Sequence, residues 1–229
     1  MKNLLFFLLY ITLFQNCTSS TQEASITSFP IAIEKPPLPP PLPIYDYDTT
    51  EWIELIRLDS SIVLDLRYAT SDNFMEEQVY ECGRCFLRKP AAEAIVKAHQ
   101  KLQKQGLGLK MFDCYRPRPI QWKLWNKVPN PKYVADPRKG SMHNRGTAID
   151  LTIVDANGKQ LDMGTKYDYF GKEGWTWYKN LPKNVLANRK LLRETLLEFN
   201  LKYIKTEWWH FYYRPQKFPI SDFVWNCPE

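Results

Sequence analysis

The sequence of 229 residues has no block of like charge, no internal repeat and no apolar run of the ~20 residues that a membrane-spanning helix needs. Its 31 Lys and Arg against 25 Asp and Glu leave a formal charge of +6 spread along the chain, which excludes a basic nucleic-acid arm. Histidine is scarce, at three residues. With 44% hydrophobic and 24% charged residues the chain is too apolar to be disordered. A single core is feasible at this length, so neither disulfides nor a metal are required merely for folding.

The N-terminus differs from the rest. Lys2 is the only charge ahead of the almost wholly apolar stretch Leu4 to Phe14, too short to span a bilayer but right for the h-region of an export signal. Cys17, followed by Thr18-Ser19-Ser20-Thr21, resembles the acylated cysteine of a bacterial lipoprotein, although Gln15 and Asn16 are larger than the residues usual before it. Residues 1–16 are thus expected to be an export signal, with Cys17 lipidated and the protein in the periplasm or cell envelope. Residues 17–45 end in Pro36-Pro37-Leu38-Pro39-Pro40-Pro41-Leu42-Pro43, a polyproline spacer. The folded domain is expected to be 46–229.

In an exported chain Cys82, Cys85, Cys114 and Cys227 suggest two bridges, or one bridge and two free thiols, with the pairing open. Ser61 to Tyr68 reads as a strand. A helix opens at Pro90 and stops at Gly106, with His99 at its surface or boundary. Leu107 to Phe112 and Ala148 to Val154 alternate as strands, the second with Ile149, Leu151 and Ile153 on one face and Asp150 on the other. Val185 to Phe199 reads as a second helix, and Tyr203 to Tyr213 as a final central strand. The order favours an α+β domain.

The chemistry concentrates in two segments, Ser141-Met142-His143-Asn144-Arg145-Gly146-Thr147-Ala148-Ile149-Asp150 and Thr206-Glu207-Trp208-Trp209-His210. Together they offer two imidazoles and two carboxylates. Three of these make a tetrahedral site with a fourth position open, as in catalytic zinc centres. Asp150, on a strand amid Ile and Leu, suits a ligand, because a cation removes the cost of burying its charge. Glu207, on a longer side chain, suits the general base, provided that a bend brings it to the side of His210. Residue types alone leave open an alternative in which His143 is a loop residue, Asp150 caps a turn and Glu207 pairs with Lys205.

Ser-x-His-x-x-Gly-x-Ala-x-Asp followed by Glu-x-x-Trp-His resembles the zinc D,D-peptidases of peptidoglycan, and within them the VanX-type D-alanyl-D-alanine dipeptidases. The stretches Asp65 to Phe74, Tyr115-Arg116-Pro117, Gly146 to Thr152, Asp162 to Thr165 and Tyr167-Asp168 extend the resemblance over residues 52 to 225. It implies a single α+β domain with a mainly antiparallel sheet flanked by helices and one Zn2+ at the sheet. It implies His143, Asp150 and His210 as ligands, Glu207 as general base and Arg116 as the cation at the oxyanion. Ser141 and Tyr68 would line a small pocket, with Asp162 and Asp168 ordering the loop beside it. The substrate would be D-Ala-D-Ala, from wall turnover or salvage, with no protein partner implied. The alternatives are a D,D- or L,D-carboxypeptidase or endopeptidase on longer wall peptides, and a non-catalytic wall-binding domain. The departures are the export signal, the spacer, the cysteines, and a shorter loop between Arg118 and Ser141 that bears on pocket closure.

Overall fold

The computed structural model describes residues 45–227. The export signal, Cys17 and all but the last residue of the spacer lie outside them. In chain order the elements are β1 (Ile53–Glu54), β2 (Val63–Leu64), β3 (Phe86–Leu87), α1 (Lys89–Gln103), β4 (Leu107–Asp113), α2 (Arg118–Lys127), β5 (Ala148–Asp155), α3 (Lys183–Glu198), β6 (Leu201–Tyr203) and β7 (His210–Tyr213). The main sheet has the order β2-β4-β5-β7-β6, antiparallel except for β2 against β4, and β1 pairs with β3 in a small second sheet.

β5 is the third strand of five and is buried on both faces. Ile149, Leu151 and Ile153 enter a core with Leu109 and Met111 of β4, Ala91, Ile95, Ala98 and Leu102 of α1, and Leu192 and Leu196 of α3. Each such large side chain contributes roughly 1.5–3 kcal/mol on burial. The apolar stripe of α1 thus faces the sheet, and Gly106 takes the left-handed conformation just beyond it. The opposite face of β5 carries Asp150, and the Leu161 to Phe170 loop brings the Tyr167 hydroxyl to within 3.0 Å of Asp150 Oδ2.

Four expectations change. Only Val63–Leu64 of the first expected strand pairs; Arg67–Ala69 is a 3-10 turn that carries Tyr68 inward. Tyr203 to Tyr213 is not one strand, because Ile204 to Trp209 leave the sheet between β6 and β7. Arg118–Lys127, expected as loop, is helix α2, with Pro119 in its first turn. His99 is buried, not at the surface. Its Nδ1 accepts the Leu109 N–H at 3.0 Å, so Nε2 carries the proton and donates to Ser61 Oγ at 2.9 Å. The cysteine pairing is Cys82 with Cys227 and Cys85 with Cys114.

Candidate active site

Asp150 and His210 are direct neighbours on β5 and β7, and Asp113 on β4 stands opposite Asp150. Met111 pairs with Leu151, so a regular ladder would put Phe112 opposite Asp150. A bulge inserts Phe112 and turns Asp113 onto the Asp150 face instead. His143 comes from the 3-10 turn His143–Arg145, closed by Gly146 at φ +70°. A Cβ at Gly146 would lie 2.4 Å from the Trp52 ring as well as forcing a left-handed backbone, so only glycine fits there. The break before β7 supplies the bend that Glu207 needs. It is buried, turned inward rather than out beside Lys205, with Oε2 at 3.8 Å from His210 Nδ1.

Three lone-pair atoms converge. His210 Nδ1 is 2.9 Å from Asp150 Oδ1, His143 Nε2 is 3.3 Å from the same oxygen, and the two ring nitrogens are 3.1 Å apart. The tautomer of His143 follows from its other nitrogen, which donates to the Cys114 carbonyl at 2.7 Å and leaves Nε2 bare. Ligand atoms at ~2.0–2.1 Å from a tetrahedral zinc stand ~3.3 Å from one another, so the spacing and the donor set fit that ion. The charge inventory points the same way. Asp113, Asp150 and Glu207 are buried carboxyl groups and Asp168 a half-buried one, all gathered at one place, with Arg116 the buried guanidinium beside them.

The electrostatics reflect this excess. Burial alone would raise Asp150, but His143 and His210 hold its carboxyl well below the usual range. Burial, with the charges of Asp150 and Asp168, pushes Glu207 well above it. Asp168 is pushed up to about 8 by burial and by Asp150. Burial lowers the His210 imidazole, which keeps it neutral and able to act as a ligand.

Arg116 is buried, with Nε and Nη2 on Asp113 Oδ2 at 3.0 and 2.6 Å and Nη1 on Gln121 Oε1 at 3.0 Å. Nη2 lies 4.0 Å from Asp150 Oδ2, and the plane sits over the Tyr68 ring. Arg116, Tyr68, Asp150 and Glu207 border a cavity of about 370 Å³, also lined by Ser141, Phe74, Tyr133, Phe170 and Asp168, within the ~300–1,000 Å³ usual for small-molecule pockets. Tyr68 and Ser141 are therefore at its wall. The Tyr68 hydroxyl donates to Asp168 Oδ2 at 3.1 Å, and Ser141 Oγ donates to Asn144 Oδ1 at 3.1 Å. Asp162 does not line the cavity; its carboxylate accepts the Gly164 N–H at 2.8 Å within the loop that carries Asp168. Asp168 does more than order a loop, since its carboxyl faces the cavity from a residue at φ +58°.

Sequence reasoning missed Asp113, which holds Arg116, lies 3.5 Å from His143 Nδ1 and accepts the Tyr80 hydroxyl at 2.7 Å. It also missed Tyr167, Gln121 and Asn144. The one available signal was the position of Asp113 at the end of a strand, three residues before Arg116.

Residues 48–224 match the family model Peptidase_M15, described as D-ala-D-ala dipeptidase. The D-alanyl-D-alanine dipeptidase of Escherichia coli is 38% identical over 164 residues, covering 72% of this chain and 85% of that protein. That of Enterococcus faecium is 29% identical over 180 residues, covering 69% and 89%. That of Streptomyces coelicolor is 27% identical over 187 residues, covering 72% and 93%. With that family match spanning nearly all the described residues, this chain belongs to the Peptidase_M15 family of D-Ala-D-Ala dipeptidases.

Proposed function

We propose that this chain is an exported zinc peptidase that hydrolyses D-Ala-D-Ala to free D-alanine, in turnover or salvage of wall peptides. The observation that carries the reading is the convergence of His143, Asp150 and His210 beside Glu207 in a cavity of dipeptide size. These three residues would hold the ion, which when bound would supply the Lewis acidity that acidifies a water and polarises the scissile carbonyl. Glu207 takes the proton of the attacking water and returns it to the leaving amine. Arg116, with N–H groups to spare beyond those held by Asp113 and Gln121, donates to the developing oxyanion.

Asp168 favours a free dipeptide over a longer chain. A half-buried carboxyl at the cavity wall, held by the Tyr68 hydroxyl, is an expensive group with no cation of its own. The free ammonium of a dipeptide neutralises it, whereas the amide nitrogen of a longer peptide does not. Asp168→Asn is expected to raise KM for D-Ala-D-Ala at least tenfold with a smaller change in kcat. The same carboxyl has a pH signature in the metal-stripped protein. Its folded pKa of about 8 lies above the ordinary 3.8, so across that window the native state binds the extra proton. Stability therefore falls as pH rises from 4 to 8. Glu207 adds a fall of the same sign, so Asp168→Asn should flatten the slope of unfolding midpoint against pH without removing it.

The reading is tested by amine release from D-Ala-D-Ala, and from a wall tripeptide and pentapeptide ending in D-Ala-D-Ala, with a chelator control. Chelator-sensitive cleavage of the dipeptide alone is expected. Cleavage of the longer peptides would replace it with a carboxypeptidase; zinc binding without any cleavage would leave a wall-binding module. The two disulfides support export, since such bonds persist in oxidising compartments. A lipid on Cys17 would be read by mass spectrometry of the membrane fraction.

A further inference from the structure

Of the two disulfides, Cys85–Cys114 reaches the site, through the Cys114 carbonyl. Cys85–Cys114 is buried at both ends. Cys114 follows β4 in the stretch 113–116, which supports the site at several points. Its own carbonyl accepts from His143 Nδ1 at 2.7 Å. The Arg116 N–H donates to the His143 carbonyl at 3.2 Å, and the Arg116 carbonyl accepts from Asn144 Nδ2 at 2.7 Å. Cys85 leads into β3, which is knitted to the same two segments. The Phe86 carbonyl accepts the Tyr115 N–H at 3.0 Å, and the Arg88 N–H reaches the Gly146 carbonyl at 2.8 Å. The covalent bond therefore clamps, from behind, the stretch that aims the His143 imidazole.

A ligating histidine is oriented by the partner of its second nitrogen, and disturbing that partner costs ~10–100-fold in metal affinity. Here the partner is a main-chain carbonyl, whose place is set by whatever fixes its own residue. We propose that the Cys85–Cys114 disulfide is a positioning element of the metal site, holding the Cys114 carbonyl against His143 and thereby setting the zinc affinity of His143, Asp150 and His210. The proposal rests on the zinc reading given above. Cys82–Cys227 has a different part. It fastens the C-terminal stretch, where Trp225 Nε1 donates to the Cys82 carbonyl at 3.3 Å and the Trp225 ring packs on Tyr80 and Phe86. Its sequence separation is 145 against 29 for Cys85–Cys114, so by loop closure it constrains the unfolded chain more. One bond serves global stability and the other the site.

The test compares the full-length wild type, produced with its disulfides formed, with Cys85→Ala/Cys114→Ala and Cys82→Ala/Cys227→Ala. The zinc dissociation constant is measured by competition with a chromophoric chelator, and the unfolding midpoint on the metal-free proteins. Cys85→Ala/Cys114→Ala is expected to bind zinc ~10–100-fold more weakly. Cys82→Ala/Cys227→Ala should keep wild-type affinity despite a fall in midpoint at least as large. Should the first variant fail to fold, Cys85→Val/Cys114→Ala restores much of the lost volume without the bond. Unchanged affinity in a folded Cys85/Cys114 variant overturns the proposal, as does equal weakening in both pairs, which would reduce the bond to general stability. A wild type that binds no zinc overturns the zinc reading, and the proposal with it.

Discussion

Glu207→Gln is expected to lower kcat by ~10²–10⁴-fold, the usual contribution of a positioned general base, with zinc content and KM close to wild type. The substitution keeps the shape of the side chain and removes only its ability to take a proton. It also removes a carboxyl whose ionisation is opposed by burial and by the charges of Asp150 and Asp168. The variant should therefore unfold at the same temperature as the wild type or higher. A fall in turnover alongside undiminished stability separates loss of chemistry from loss of fold. Steady-state kinetics with D-Ala-D-Ala, metal analysis and a thermal melt on one preparation give all three readings. Near-normal turnover would remove Glu207 from the role of base.

Arg116→Ala is expected to lose at least ~100-fold in kcat, the scale of one donor removed from an oxyanion. The geometry adds a second loss. Two guanidinium nitrogens rest on Asp113 Oδ2, and Asp113 is fully buried. Removing the cation leaves that charge uncompensated, at a cost of ~3–5 kcal/mol in stability. The alanine variant alone would confuse the two effects, so Arg116→Lys is the informative partner. Lysine restores a charge near Asp113 but not the fork that serves Asp113 and Gln121 together and leaves further N–H groups over the cavity. It is expected to recover much of the stability and little of the turnover. Full turnover in Arg116→Lys would confine Arg116 to a structural ion pair.

The chemistry-bearing residues were legible because they sit in two short segments whose types and spacing are unusual. His143, Asp150, Glu207 and His210 are all at one place, and the need for a bend between Glu207 and His210 was visible from strand periodicity alone. The helices α1 and α3 and the strands β4 and β5 were legible for a related reason. Each carries a regular apolar period over seven or more residues, and the core decides such elements with little help from neighbours. Elements of two to four residues were not. β2, β6 and β7 have too few residues to show a period, and their ends are set by the strand beside them.

Asp113 shows the limit most sharply. Alternation along β4 puts it on the face of Met111, toward the helices; the bulge at Phe112 turns it to the metal side, where it holds Arg116. His99 read as a boundary residue because Lys and Gln surround it, yet a Leu109 N–H and a Ser61 hydroxyl satisfy it in the interior. The sequence by itself determined the α+β class and the two short segments that carry the chemistry, which follow from local period and residue type; the donor set and the roles of Asp150 and Glu207 are what its resemblance to the zinc D,D-peptidases implies. Only the tertiary structure decided the disulfide pairing, the Asp113–Arg116 clamp, the inward turn of Asp168 and the carbonyl that orients His143. Each of these joins groups distant in sequence or depends on a local break in the ladder, and packing, not local preference, chooses among such partners.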